Sequence, residues 1–273
     1  MDPVDLYCFS GTGNTLIVAR AMRDRFAERG VEAALHRLED CDPADVDRSH
    51  ILGIACPVAA QSTYPTVWEF VRGLPEADGT GAFLVDTLMM FSGGLLGPMK
   101  HCLKKKGYAP LGAREVRMPN NFFRKKTDPE KDAGVIESGR EAARAFVDAL
   151  VDGSARWPPA RPWEWLFFAG MKLGYGKPRL IGRMARPSVD PERCTQCGLC
   201  EKLCPVGAVT RPAGTPQFSR DCIACMRCFS YCPAEAIRLR NSSKYVPYRP
   251  LKAADLLGSD DPLRRHTPKG EAG

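Results

Sequence analysis

The chain lacks a basic N-terminal region followed by an apolar core, so no signal peptide is expected. It also lacks a run of about 20 mainly apolar residues, the length a membrane-spanning helix needs. Its greasiest stretch, residues 163–175, is interrupted by Glu164 and Lys172. The expectation is a cytoplasmic protein with no membrane span. Histidine is scarce: His36, His50, His101 and His266 share no ligand spacing, so no histidine metal site is expected. No Ser/His/Asp arrangement and no carboxylate pair stands out, which leaves no catalytic residue to name. The net +7 suits an acidic partner or a membrane surface without identifying one. The run Lys104-Lys105-Lys106 ends an expected helix, where cations complement the dipole, and no nucleic-acid role is expected of it.

Cysteine, by contrast, is abundant, and its distribution decides how it is used. Of 12 cysteines, Cys8, Cys41, Cys56 and Cys102 are scattered through the first part of the chain. They read as plain thiols, although Cys56, beside an expected loop, leaves a redox-active thiol open. The other eight lie between residues 194 and 232. In a cytoplasmic chain such a concentration points to metal rather than disulfides.

Residues 1–152 alternate between strand and helix patterns. Apolar strands are expected at 4–9, 31–38, 51–56, 82–87 and 111–118. Helices are expected at 13–29, 64–73 and 94–106, with a long last one capped by Asp128-Pro129. Val135, Ala142, Phe146 and Leu150 share one face of that last helix. Five strands with intervening helices imply an α/β fold, a parallel sheet covered on both faces. Residues 153–190 are proline-containing and read as a linker. From Arg156 to Arg186 it is basic, with Glu164 its one acid, and it is rich in aromatics (Trp157, Trp163, Trp165, Phe167 and Phe168). Two readings stand: a connector packing on both domains, or a docking surface for a partner or a membrane. Residues 191–240 form the cysteine module. Residues 241–273 form a polar tail whose far end is expected to be disordered.

Within the module, Cys194, Cys197, Cys200 and Cys204 are spaced C-x2-C-x2-C-x3-C and followed by Pro205. Cys222, Cys225, Cys228 and Cys232 repeat the spacing, followed by Pro233, with every cysteine displaced by 28 residues. Ala208 and Ala236 match at the same offset, so the module is an internal duplication. Three thiolates on a tight loop reach three irons of one cubane, and the fourth, on the helix that follows, points to the other cubane. This is the ligand run of bacterial ferredoxins. Cys194, Cys197, Cys200 and Cys232 are therefore assigned to one [4Fe-4S] cluster, and Cys222, Cys225, Cys228 and Cys204 to a second. Structural zinc is the alternative, but zinc sites use ligand pairs separated by a long gap and call for neither the third cysteine nor the trailing proline.

Between the first strand and first helix lies Ser10-Gly11-Thr12-Gly13-Asn14-Thr15. It is not a P-loop, because the Gly-Lys-Ser/Thr ending is missing, nor G-x-G-x-x-G, because Leu16 replaces the third glycine. It offers hydroxyls, an amide and backbone N–H groups at a helix N-terminus, which solvate a phosphate through neutral donors. A polar helix cap with no ligand, or a different phosphate, remain as alternatives.

This loop after an apolar strand resembles the FMN phosphate loop of flavodoxins. The resemblance implies a doubly wound five-stranded parallel sheet in the order 2-1-3-4-5. Loops 57–65 and 87–94 would then flank the flavin ring, with Tyr64 and Phe91 as candidate stacking residues. Taken over roughly residues 3–255, the chain resembles fusion proteins in which a flavodoxin-like domain precedes a small α+β ferredoxin-type 2[4Fe-4S] domain. The marks are the SGTGNT loop, Pro57-Val58, Met118-Pro119-Asn120-Asn121, the second cysteine motif and the Tyr245…Pro250 segment. One departure is Ala59-Ala60, where relatives often carry aromatics. The resemblance implies an electron carrier with FMN and two [4Fe-4S] clusters, serving a redox protein partner. A flavin-dependent reductase fed by its clusters, and a cluster module that has lost FMN, are the other readings.

Overall fold

The computed structural model describes residues 1–122, 124–159, 161–174, 187–239 and 245–258. The basic stretch 175–186 of the expected linker and the far end of the tail, 259–273, lie outside the described residues.

Five strands, β1 (Val4–Cys8), β2 (Ala33–Arg37), β3 (Ile51–Pro57), β4 (Gly81–Leu88) and β5 (Ala109–Arg117), form one sheet in the order β2-β1-β3-β4-β5. Every pairing is parallel. The three inner strands are buried along almost their whole length, which is why they read as continuous apolar runs rather than alternating ones. The edge strands are only partly buried. β5 carries Pro110, tolerated at an edge, and a register shift opposite Ala82 and Phe83. This is the flavodoxin-like order inferred from the sequence.

Helices α1 (Asn14–Glu28) and α4 (Pro129–Val151) cover one face of the sheet. Helices α2 (Pro65–Gly73) and α3 (Leu96–Lys105) cover the other. The expected cap of α4 is present: the Asp128 carboxylate accepts from the Lys131 N–H at 3.1 Å. Its buried stripe is Gly139, Ala143, Phe146, Val147 and Leu150, one position round from the expected face at Val135 and Ala142. Gly139 lets α4 press on the end of β5, where a Cβ would stand 2.5 Å from Met118 Sδ, and Asp148 of α4 holds Arg25 and Arg29 of α1.

The expected linker carries regular structure at both of its ends. Trp157 is buried and donates its indole N–H to the Leu96 carbonyl at 3.1 Å. Residues Pro162–Gly174 form helix α5, packed on α3. At the other end, strand β6 (Ser188–Val189) pairs antiparallel with β9 (Ile237–Arg238), so residues 188–190 belong to the cysteine module. Two-residue strands escape a periodicity reading because they hold too few residues to alternate.

The module adds α6 (Leu199–Lys202), β7 (Val209–Thr210), β8 (Gln217–Phe218) and α7 (Arg227–Tyr231). It is not a separate bead. Leu203, Tyr231 and Leu256 belong to the same apolar cluster as α1 and α4, and Ile223 and Cys225 to the one on the opposite face. The described part of the tail, ending in α8 (Ala253–Leu257), folds back on the first domain. Asp255 pairs with Arg20 at 2.7 Å, and Arg37 donates to the Leu257 carbonyl at 3.0 Å. Among the described residues no helix is long and apolar enough to cross a membrane.

Candidate functional site

The loops that leave the C-terminal ends of β1, β3, β4 and β5 enclose a cavity of about 460 Å³. That is the edge at which open α/β sheets bind ligands, and the volume suits a small molecule. Ser10, Gly11, Thr12, Asn14 and Thr15 line it, as do Pro57–Ala60, Tyr64, Thr87–Met89 and residues 118–122. Ile223, Ala224 and Met226 of the cysteine module complete the wall. The two halves of the molecule therefore share one cavity.

The phosphate loop is built from its own side chains. Ser10 Oγ accepts from the N–H groups of Gly13 and Leu16 at 3.1 and 3.3 Å. Gly13 takes φ 113°, a conformation that favours glycine, and starts α1. The backbone N–H groups of Thr12, Asn14 and Thr15 take no partner among the described residues. These are the orphan donors of a helix start, and they fit a phosphate. The described lining residues supply no cation, so neutral donors and the dipole of α1 would carry that charge.

Two of the expected phosphate donors have structural partners. The Asn14 amide donates to the Pro119 carbonyl at 2.9 Å and accepts from the Tyr248 hydroxyl at 2.7 Å. It thus ties α1 to the loop after β5 and to the tail. Thr15 Oγ1 is 2.7 Å from Thr87 Oγ1, bracing β4. Thr12 Oγ1 accepts from Asn121 Nδ2 at 2.8 Å and keeps its own proton to donate.

Gly11 has a reason the loop alone does not reveal. A Cβ there would stand 2.7 Å from the Cys225 carbonyl oxygen. The glycine is required by the close approach of the second cysteine loop.

Of the two candidate stacking residues, Tyr64 lines the cavity and Phe91 does not. The Tyr64 ring packs tilted on Phe9 at 5.1 Å, and its hydroxyl lies 3.5 Å from the Ala224 carbonyl. Phe91 is exposed, because the chain turns outward after Met89 and the Ser92 hydroxyl is bonded to the buried Asp86 at 2.6 Å. Burial raises the Asp86 carboxyl well above the ordinary carboxylate value. Phe122, unforeseen, lines the cavity mouth instead, two residues beyond Asn120. Ala59 and Ala60 lie in a tight turn in which Ala60 and Gln61 both have positive φ. Gly94 N–H donates to the Gln61 carbonyl at 2.6 Å, locking the two expected flavin loops together.

The cysteines fall into two groups. Cys194, Cys197, Cys200 and Cys232 line one small cavity; Cys204, Cys222, Cys225 and Cys228 line another. The 28-residue repeat extends to the backbone. Gln196 and Ala224, Gly198 and Met226, and Gly207 and Glu235 form three pairs at that offset, all with positive φ. Left-handed residues turn each loop tightly enough to present its thiols inward. The matched alanines gain a role here: Ala208 N–H donates to Cys204 Sγ at 3.2 Å and Ala236 N–H to Cys232 Sγ at 3.3 Å. Such bonds stabilise a thiolate and tune a cluster's potential. Cys56, by contrast, is fully buried, and burial with Asp86 behind it pushes its thiol up beyond the reactive range.

One buried arginine joins the two sites. Arg227 donates to the Ser10 carbonyl through Nε at 2.9 Å and Nη2 at 2.8 Å, and to Leu203 at 3.3 Å. It pairs with Glu39 at 2.6 Å, which Arg37 also holds at 3.0 Å. Burial by itself would raise the Glu39 carboxyl, but Arg227 and Arg37 outweigh it and hold it below the usual range. The Tyr231 hydroxyl adds a bond to the Thr12 carbonyl at 2.9 Å.

The profile of the 4Fe-4S binding domain family matches residues 187–210 and 218–238, the two halves of the duplication. The chain thus joins a domain of flavodoxin-like topology to a region that matches the 4Fe-4S binding domain family. No curated protein matches it. Among solved structures, the two-electron reduced flavodoxin of Megasphaera elsdenii is 24% identical, covering 52% of this chain and 98% of its own, with a TM-score of 0.37. General stress protein 14 of Treponema denticola in complex with FMN is 14% identical, covering 55% and 99%, with a TM-score of 0.38. A flavodoxin from the domain Archaea is 12% identical, covering 54% and 99%, with a TM-score of 0.37. The match to the 4Fe-4S binding domain family supports a redox, electron-transfer role.

Proposed function

We propose that the fusion protein relays single electrons between FMN, two [4Fe-4S] clusters and a protein partner. The observation that carries this is the shared wall: Ile223, Ala224 and Met226 lie between the phosphate-loop cavity and the cavity of Cys204, Cys222, Cys225 and Cys228. When bound, FMN and the clusters would supply one-electron redox chemistry.

The chain's own residues hold and align the two centres. Ser10, Thr12 and the free N–H groups of the loop would bind the phosphate. Tyr64, Met89 and Phe122 offer the ring apolar walls. Gly11 permits the cluster loop to approach without an intervening side chain, and Arg227 clamps that loop to Ser10. The cluster assigned to Cys204, Cys222, Cys225 and Cys228 would be proximal to the flavin. That of Cys194, Cys197, Cys200 and Cys232 would be distal and face the partner.

The reductase reading has no support from the cavity. Apart from Tyr64, whose hydroxyl is raised by burial, no described lining residue can exchange a proton. The test is anaerobic reconstitution with iron, sulfide and FMN. About eight irons per chain and one FMN are expected. Fewer than about seven irons would count against two cubanes. Failure to take up FMN would leave only a cluster module. Cys232→Ser should impair the cluster of the first triplet while Cys222, Cys225 and Cys228 keep theirs, as read by EPR of the reduced protein. Loss of the second signal instead would refute the crossed ligation.

A further inference from the structure

Helix α5 is built inside out. It begins Pro162-Trp163-Glu164-Trp165-Leu166-Phe167-Phe168. Its one carboxylate is buried: Glu164 Oε2 accepts from the Gly97 N–H at 2.7 Å, at the start of α3. Phe168 packs beside it against Trp68 at 5.1 Å. The bulky apolar side chains face solvent instead, with Trp163 50%, Trp165 43%, Leu166 75% and Phe167 39% exposed. At 3.6 residues per turn, Glu164 and Phe168 occupy about 40° of the helix, while the exposed residues 163, 165, 166, 167, 169 and 170 span about 200°. A helix docked on a folded partner needs an apolar stripe of only about 100°. An arc twice as wide calls for a medium that envelops the helix.

Basic side chains adjoin it. The Arg161 guanidinium sits over the Trp163 ring at 5.4 Å. His101 of α3 meets the Trp165 ring at 5.5 Å. Lys104 and Lys105 follow three and four residues later on the same face of α3, exposed and without an ion pair among the described residues. The only acid between Arg156 and Arg186 is Glu164, and capping α3 removes it from this surface.

We infer that α5 and the adjoining lysines of α3 form a docking surface for an anionic lipid bilayer, with the helix lying in the interface. Aromatic side chains favour the headgroup level, and lysines beside them are attracted to anionic lipid. The surface lies on the flavodoxin-like side of the molecule, through α3, and leaves the ferredoxin domain free for a protein partner.

The test is co-sedimentation of the full chain with vesicles of phosphatidylcholine alone, or with one third phosphatidylglycerol. Binding is expected to the anionic vesicles and to weaken with salt. Trp163→Ser with Leu166→Ser should lower the partition coefficient about tenfold or more. Lys104→Glu with Lys105→Glu should lower it by a similar factor on anionic vesicles only. Unchanged far-UV circular dichroism would exclude misfolding as the cause. The inference is overturned if neither vesicle binds at low salt, or if the serine variant binds as the parent does. It is also overturned if the chain self-associates without lipid and the serine variant abolishes that, because the occupant is then a second copy. Retention by a protein partner with no vesicle binding overturns it equally.

Discussion

Replacing Arg227 with methionine tests the junction on which the electron-transfer reading depends. Methionine keeps much of the volume but removes the donors to Ser10 and Leu203 and strips Glu39 of its closest partner. Glu39 is 3% exposed in its side chain, so its charge cannot turn to water. Breaking a buried pair from one side costs about 3–5 kcal/mol. Arg37 still holds Glu39 at 3.0 Å, which places the loss near the lower end, about 3 kcal/mol. Removing both charges, Arg227→Met with Glu39→Gln, leaves mainly the orphaned carbonyls and should cost about 1–2 kcal/mol. The assay is urea unfolding under anaerobic conditions, followed by tryptophan fluorescence. With a slope of about 3 kcal/mol per molar, the single variant should lower the midpoint by about 1 M. The double variant should recover part of that. A single-variant shift below about 0.3 M, or a double variant no better than the single, would refute the claim that this pair is buried and coupled.

Other expectations follow from individual positions. Gly11→Ala puts a methyl group 2.7 Å from the Cys225 carbonyl, so the second cluster loop must shift. FMN affinity and the EPR signal of the adjacent cluster should change together, and a change in neither would refute the close approach of the two loops. Gln61→Gly relieves a positive φ of 66° in the turn beside the cavity and should stabilise the protein by about 0.5–1 kcal/mol in the same urea assay. Asp5 accepts from His36 at 2.7 Å and His50 at 2.9 Å. Burial would raise its carboxyl, but the two histidines outweigh that and hold it below the ordinary value. Its contribution is therefore present above the ordinary carboxylate range and is lost as pH falls through the lower native value. Asp5→Asn should cost about 2 kcal/mol at neutral pH, and the deficit should shrink in acid. A pH-independent deficit would contradict the assignment.

What was legible in the sequence was whatever depends on neighbours along the chain. The strands and helices of the first domain, the Asp128 cap and the grouping of eight cysteines follow from periodicity, capping and a repeat of 28 residues, whereas the sheet order came from the resemblance of the phosphate loop to that of flavodoxins. Ala208 and Ala236, which match at the repeat offset, donate to the fourth cysteine of each run. What remained hidden required two distant segments to meet. Nothing near Gly11 shows that Cys225 will press on it, nor near Asn14 that Tyr248 will occupy its amide. Phe91 and Phe122 are both aromatics in loops, and only the direction of the backbone sends one to solvent and the other to the cavity mouth. Local residue chemistry determined two cysteine runs of the 4Fe-4S binding type and a phosphate-type loop. Tertiary packing decided that they share one wall, because a buried arginine and a glycine bring the halves together across more than 200 residues of sequence.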